Sequence, residues 1–396
     1  MSRNVRLPHH ETINQYLQGK KFNLYYSKPA LEHMIHFIDG VTQKGFSGTL
    51  TDIHGSSHEL RHRTTLGHFL QHGKWQEDWL LKKSQSDVLR QIYKEAEQTQ
   101  FPIHVIVDDT LCKKTKPSSQ ATSSIPNAEF HFSHKEGRCI WGHQVIVVLF
   151  QCGKLRLPYT FLRYDKAGKS KIDLVCDLIK SLPNFQHSAY LLVDTWYNAK
   201  KVIDASASKG LYLIGGLKTN RILFPKGIHT PARDLAVMIR KSDTRLVTVG
   251  EKSYHVYRFE GALKEIENGV VLFCWPEGQL GNATSLRCFL GMDVSLNEEV
   301  ILAHYSQRWM IEIFFRFLKE NLSFDRYRVR STRAIERFWL LLFLACHYLI
   351  HQSGRCLFAS LRKVREQRES GMIEWIYSQC RLGIPLSCIK KQLNAA

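Results

Sequence analysis

The sequence predicts an α/β fold: a mixed sheet flanked by helices, carrying a β-rich insertion and helical N- and C-terminal regions. Three observations predict it. Between residues 101 and 217, short β-branched runs are interleaved with an amphipathic helical segment and a strand, helix, strand unit. Between residues 218 and 293, short strand-like runs follow one another, bounded by Gly, Asn and Pro. The two ends carry apolar residues at helical spacing. The expected division is a helical N-terminal region at 1–100, a core assembled from 101–217 and 294–350, the insertion at 218–293, and a basic helical region at 351–396.

Bulk properties narrow the function class. The 396 residues hold 55 Lys and Arg against 36 Asp and Glu, a formal charge of +19, which favours a polyanionic partner, nucleic acid being the commonest. The ten cysteines form no C-x-x-C pair and no Cys/His cluster at zinc-finger spacing, so a reducing cytosol fits and a disulfide framework does not. The polar N-terminus lacks an apolar h-region. The most apolar run, FWLLLFLACHYLI (338–350), is short for a membrane span and reads as a buried helix.

In chain order, LEHMIHFIDGV, TTLGHFLQHG and WQEDWLLKKSQSDVLRQIYKEAE are helical by periodicity. Arg61, His62 and Arg63 lead into the second of them, where they suit DNA phosphates at a helix start; a helical scaffold with a polar surface fits equally well. FPIHVIVDDT is a strand ending in two acids, Asp108 and Asp109, of which only one faces a given side. The polar stretch from Leu111 to Arg138, with Lys113, Lys114 and Lys116, is expected to be a mobile loop. WGHQVIVVLF and KLRLPYTFLRY are two further strands, and His143 is expected to be packed rather than a ligand. KSKIDLVCDLIKSL is an amphipathic helix. AYLLVDTWYNAKKVIDASASKGLYLIGGL is a strand, helix, strand unit in which Asp194 closes the first strand, where it serves either a ligand site beyond the strand end or the cap of the next helix.

The stretch that organises the rest is SLNEEVILAHYSQRWMIEIFFRFLKEN (295–321), expected to be one long helix opened by a capping box of Ser295 and Glu298. At roughly 100° per residue, Tyr305, Arg308, Glu312 and Lys319 fall within an arc of about 60°. They form a polar stripe backed by Ile301, Met310, Ile311, Phe314 and Leu318. A carboxylate beside a phenol, a guanidinium and an ammonium suits one wall of a phosphodiester-cutting site, with a solvated face of helical ion pairs as the bland alternative.

The spacing Tyr305-x2-Arg308-x3-Glu312-x6-Lys319 resembles the signature of the insertion-sequence-four group of bacterial transposases, DDE enzymes with a ribonuclease-H-like core. That resemblance implies a first acid on the first core strand in an Asp-x-Thr pattern, which selects Asp108 with Thr110 and leaves Asp109 as the alternative. It implies Asp194 and Glu312 as the second and third acids, the three together holding two Mg²⁺ ions, with Mn²⁺ able to substitute. It further implies that Tyr305, Arg308 and Lys319 contact phosphate. Trp275, in the insertion, fits either stacking on a flipped base or a place in the core. Arg326, Arg328, Arg330, Arg333 and Arg337 suggest DNA backbone contacts, although pairing with acids also accounts for some of them. Arg355, Arg362, Lys363, Arg365 and Arg368 suggest binding to DNA or another protomer. The function implied is cleavage at the ends of an insertion sequence and joining of the 3′-hydroxyls to target DNA. Its partner is double-stranded DNA, bound by a homodimer in the bacterial cytosol or nucleoid, away from any membrane. A DDE-type nuclease without strand transfer and an inactive or domesticated DNA-binding protein are the rival readings.

Overall fold

In a computed structural model, described over residues 7–58, 62–116, 118, 124–133, 136–354 and 356–393, five helices precede the first strand. They are α1 (Pro8–Gly19), α2 (Lys28–Thr42), α3 (Leu50–Ser57), α4 (Thr64–Gln71) and α5 (Glu77–Thr99). Arg61 and most of the PSSQATSSIPN stretch lie outside the described residues.

Strands β1 (Ile103–Lys113), β2 (Glu129–Ser133), β3 (Arg138–Cys152) and β4 (Leu155–Tyr164) come next. Helix α6 (Lys171–Ser181), β5 (Ala189–Val193), α7 (Lys200–Ala207) and β6 (Tyr212–Leu217) complete the first part of the core. The insertion holds β7 (Ile222–Leu223), β8 (Thr230–Pro231), α8 (Ala232–Met238), β9 (Arg245–Val249), β10 (Lys252–Leu263), β11 (Ile266–Pro276) and β12 (Arg287–Gly291). Helices α9 (Glu298–Ser306), α10 (Trp309–Leu322), α11 (Thr332–Ser353), α12 (Leu357–Arg381) and α13 (Leu386–Leu393) close the chain.

All twelve strands join one sheet. Its core runs β4-β3-β1-β5-β6, with β3 antiparallel to both β1 and β4, and β5 parallel to β1 and to β6. Both parallel links need crossovers, which α6 and α7 provide. The insertion continues the same sheet, because β12 pairs antiparallel with β6 through Phe289–Gly216 and its neighbours. The described part of the polar stretch after Asp109 holds strand where a loop is expected. Strand β1 runs on to Lys113, and β2 pairs with β3, since Phe130 and Phe132 supply β-forming residues within the polar run.

The sheet is buried on both faces, so β1 and β3 alternate between two cores. Ile106, Cys112, Val145, Val147 and Leu149 face the side of α9, α10 and α11. Ile103, Val105, Val107, Ile146, Val148 and Phe150 face the side of α6 and α7. Helix α11 contains the run apolar enough, by length and composition, to cross a membrane; 83% of that window is buried inside the protein, as befits a core helix.

Candidate active site

Parity along β1 separates the two acids at its end. Asp108 shares the side of Ile106 and turns toward α9 and α10; Asp109 shares the side of Val107 and turns toward α6 and α7. The register pairs Val107 with Val193 in the parallel neighbour β5, so Asp194 follows one step beyond, beside Asp108. Adjacent strands lie about 4.8 Å apart, close enough for the two carboxylates to repel. Burial, and then the charge of Asp194, push Asp108 up to about 7, with the nearby Arg308 too weak a counterweight. Asp194 is itself organised by the turn that follows it: the Trp196 and Tyr197 backbone N–H groups donate to its Oδ1 at 2.9 and 3.1 Å.

The stripe expected from the sequence is present on two helical segments rather than one long helix. Between α9 and α10 the hydrogen bonds tighten to i→i+3, from Gln307 to His304, Arg308 to Tyr305, Met310 to Gln307 and Ile311 to Arg308. In such a turn residues three apart eclipse, which sets Arg308 over Tyr305, its guanidinium 5.9 Å from the ring centroid. The cap is Asn297, whose side chain accepts from Val300 N–H at 2.9 Å. The expected capping box is replaced because Ser295 donates instead to Asp293 at 2.6 Å.

Arg308 joins the acids. One guanidinium nitrogen donates to Asp108 Oδ2 at 2.9 Å and the other to Glu312 Oε1 at 2.5 Å. Tyr305 leans on Phe289, with ring centroids 4.5 Å apart, and its hydroxyl faces Gly216. A Cβ at Gly216 would stand 3.2 Å from that hydroxyl and 2.6 Å from Thr195 Oγ1, so only glycine leaves room here. Lys319 is spent elsewhere: its Nζ donates to the Leu111 carbonyl at 2.9 Å and pins α10 to β1.

The remaining expectations divide by burial. Trp275 is 1% exposed and packs near Phe273 in the core, so it presents no face to a base in this fold. With a period of two, its neighbours Cys274 and Pro276 face the other way, into a cavity of about 650 Å³ that Tyr305, Phe289, Arg287 and Leu302 also line. The tryptophan exposed beside the acids is Trp196, with Lys171 and Lys218 Nζ 5.6 and 5.7 Å from its ring centroid. Its place two residues after Asp194 was the available signal. Arg326, which closes a turn, and Arg328 and Arg330 beyond it are exposed, while Tyr327 between them is buried. Arg333 and Arg337 instead pair with Glu77, and Arg337 also donates to the carbonyls of Phe69, Leu70 and Trp75. Arg365 and Arg368 are likewise tied to α2 and its end, through the Thr42 and Gln43 carbonyls and through Asp39. His143 is packed, between the Tyr327 hydroxyl and the Pro126 carbonyl.

Asp108 and Glu312 share Arg308, and Asp194 acts on Asp108 as a further negative charge, so one arginine serves two of three neighbouring acids. Such a site offers hard oxygen donors and an unmet demand for positive charge, which fits divalent cations of the Mg²⁺ kind. Among the described residues, the His9, His10 and Asp39 group alone draws three donor atoms within 4.8 Å of one another. Asp108, Asp194 and Glu312 are not gathered that closely.

A family model described as a transposase DDE domain matches residues 99–347. Among solved structures, the piggyBac transposase synaptic complex with hairpin DNA, determined by cryo-EM, aligns over 92% of this chain and 79% of that chain, at 12% identity and a TM-score of 0.45. No curated protein sequence matches the chain.

Proposed function

The chain belongs to the transposase DDE domain family, and from that premise we propose that it cuts DNA at the ends of an insertion sequence and joins the freed 3′-hydroxyls to target DNA. The observation that carries this reading is the surplus of acid at this site, with Asp108 and Glu312 sharing Arg308 and Asp194 beside Asp108. These three acids would hold two Mg²⁺ ions, or Mn²⁺ in their place. Donors spread more widely than one ion needs suit a pair about 3.5–4 Å apart. When bound, such a pair supplies activation of the attacking oxygen and stabilisation of the leaving oxygen in an in-line displacement, so no protein nucleophile is required.

The chain's own groups hold the DNA. Arg308 is positioned to turn a guanidinium nitrogen from carboxylate to phosphate, and Tyr305 to donate a hydrogen bond beside it. Trp196, with Lys171 and Lys218, offers an aromatic face flanked by cations next to Asp194. Arg326 and Arg328 present charge for the backbone. Lys319 acts through β1 rather than on phosphate. Two ends must be brought together, so the working form in the bacterial cytosol is a homodimer on double-stranded DNA.

The test is incubation of the purified protein with labelled candidate end DNA, target plasmid and Mg²⁺. Cleavage at the terminus followed by strand-transfer products is expected, with a loss of about 100-fold or more in Glu312→Gln. Strand transfer by that variant at the wild-type rate would remove Glu312 from the mechanism. Cutting without joining would leave a nuclease.

A further inference from the structure

We propose that Asp109 and Tyr197 are positioning residues that hold Asp194 from the far side of the sheet. The two sequence neighbours Asp108 and Asp109 then serve one site in different ways: one lines the cleft, the other braces its partner acid. The inference rests on the reading of Asp194 as a metal carboxylate and adds the parts that aim it.

Tyr197 is the link, because it touches both acids. Its hydroxyl donates to Asp109 Oδ2 at 2.6 Å, and its backbone N–H donates to Asp194 Oδ1 at 3.1 Å. The side chain is fully buried among the residues packed under α6 and α7. Asp109 is occupied on both oxygens: Lys171 Nζ lies 3.0 Å from Oδ2, and Gln144 Nε2 donates to Oδ1 at 2.5 Å. That leaves it no free direction toward the cleft. A carboxylate paired with Lys171 accepts the buried phenol more strongly than a neutral group would.

The turn it anchors has no regular structure of its own. Residues 194–199 connect the end of β5 to α7, and the direction of the Asp194 carboxylate depends on the Trp196 and Tyr197 N–H groups that this turn presents. One further tie, from Asn198 Nδ2 to the Gly216 carbonyl at 2.8 Å, fixes the turn to β6. Removing the Tyr197 hydroxyl frees one end of the turn while leaving the aromatic packing in place. The bond between Asp109 and Tyr197 is lost in Tyr197→Phe and weakened in Asp109→Asn, whose neutral amide oxygen is the poorer acceptor, so both changes should act on Asp194 in the same direction.

The test uses the full chain with Tyr197→Phe, Asp109→Asn and the double variant. Amide hydrogen exchange over 194–199, measured without metal, should rise about tenfold in Tyr197→Phe, and Mn²⁺ affinity, read by electron paramagnetic resonance, should fall by about tenfold. The double variant should be no worse than the more affected single one. Additive losses, or unchanged exchange in Tyr197→Phe, overturn the proposal. If Asp109→Asn fails to fold, the phenylalanine variant decides alone. The exchange measurement needs no metal, so it judges the brace separately; wild-type Mn²⁺ binding that Asp194→Asn leaves intact sinks the metal reading instead.

Discussion

Acid–arginine clusters in two regions of this protein behave oppositely. In the cleft, Asp108 and Glu312 share Arg308, and Asp194 adds a third carboxylate. In the helical N-terminal region, Asp39 has Arg368 at 2.9 Å with His9 and His10 at 3.3 and 3.2 Å, and Glu77 has both Arg333 and Arg337. Burial acts to raise Asp108, Asp39 and Glu77 alike. In the cleft it wins, and Asp108 rises to about 7. In the two helical-region clusters the hydrogen-bonding partners win: the two histidines hold Asp39 well below the usual carboxylate range, and the two arginines bring Glu77 down to about 2. The difference teaches that the ratio of partners to acids, rather than burial, separates a cluster that stabilises the fold from one left with a surplus of negative charge.

The His9, His10 and Asp39 group illustrates the point. Its geometry alone suggests a metal site, yet its charge is already met by Arg368. The His10 ring accepts from Leu7 N–H at Nδ1 and faces Asp39 through Nε2, so both of its nitrogens are in use. It ties α1 to α2 and α12.

The sharpest way to break this comparison is Asp108→Asn. DNA cleavage should fall by about 100-fold or more, while the thermal midpoint at pH 8 holds or rises, since a repelled, buried charge is removed. A large drop in that midpoint would sink the distinction.

Arg337→Met, in the balanced cluster, should do the reverse. It leaves Glu77 and three carbonyls short of a buried partner, and urea unfolding should show a loss of about 3 kcal/mol with cleavage per folded molecule retained.

Acid separates the clusters again. His10 and His347 are lowered to about 4 and His104 to about 3, burial being the main cause in each, so these rings are neutral in the folded chain. Their contribution to stability is complete above the unfolded value of 6.5 and is lost as pH falls from there toward 4. Glu77 contributes above 4.5, and its share is lost as pH falls toward 2. Denaturant midpoints measured from pH 7 to pH 3 should decline in that order, and a flat profile from 6.5 to 4 would contradict the buried histidines.

The smallest effect is expected from Arg328→Ala, on the exposed arginine segment. Stability should change by less than about 0.5 kcal/mol, while the slope of log affinity for DNA against log salt should lessen by about 1.

Much of the site was legible because its signals are local. The stripe of Tyr305, Arg308 and Glu312 follows from helical periodicity, and the alternation of β1 required that Asp108 and Asp109 part company. The choice of cap at the start of α9 was not legible, since Ser295 and Asn297 are both good caps and the nearby Asp293 decides between them. Nor were the roles of the two tryptophans. Trp275 lies on β11 and Trp196 in the turn after β5, and only the packing around each shows the first to be interior and the second exposed.

By itself, the sequence determined most of the order of helices and strands, the positions of three acids on them and the shared face of Tyr305, Arg308 and Glu312, since these depend on backbone periods of 2 and 3.6 residues. The tertiary structure alone decided which face of β1 opens on the cleft, which arginines are consumed by Glu77 and Asp39, and that Asp109 braces where Asp108 lines. Those outcomes depend on partners 29 to more than 300 positions away in the chain, as from His10 to Asp39 or from Asp39 to Arg368, and no local period specifies such contacts.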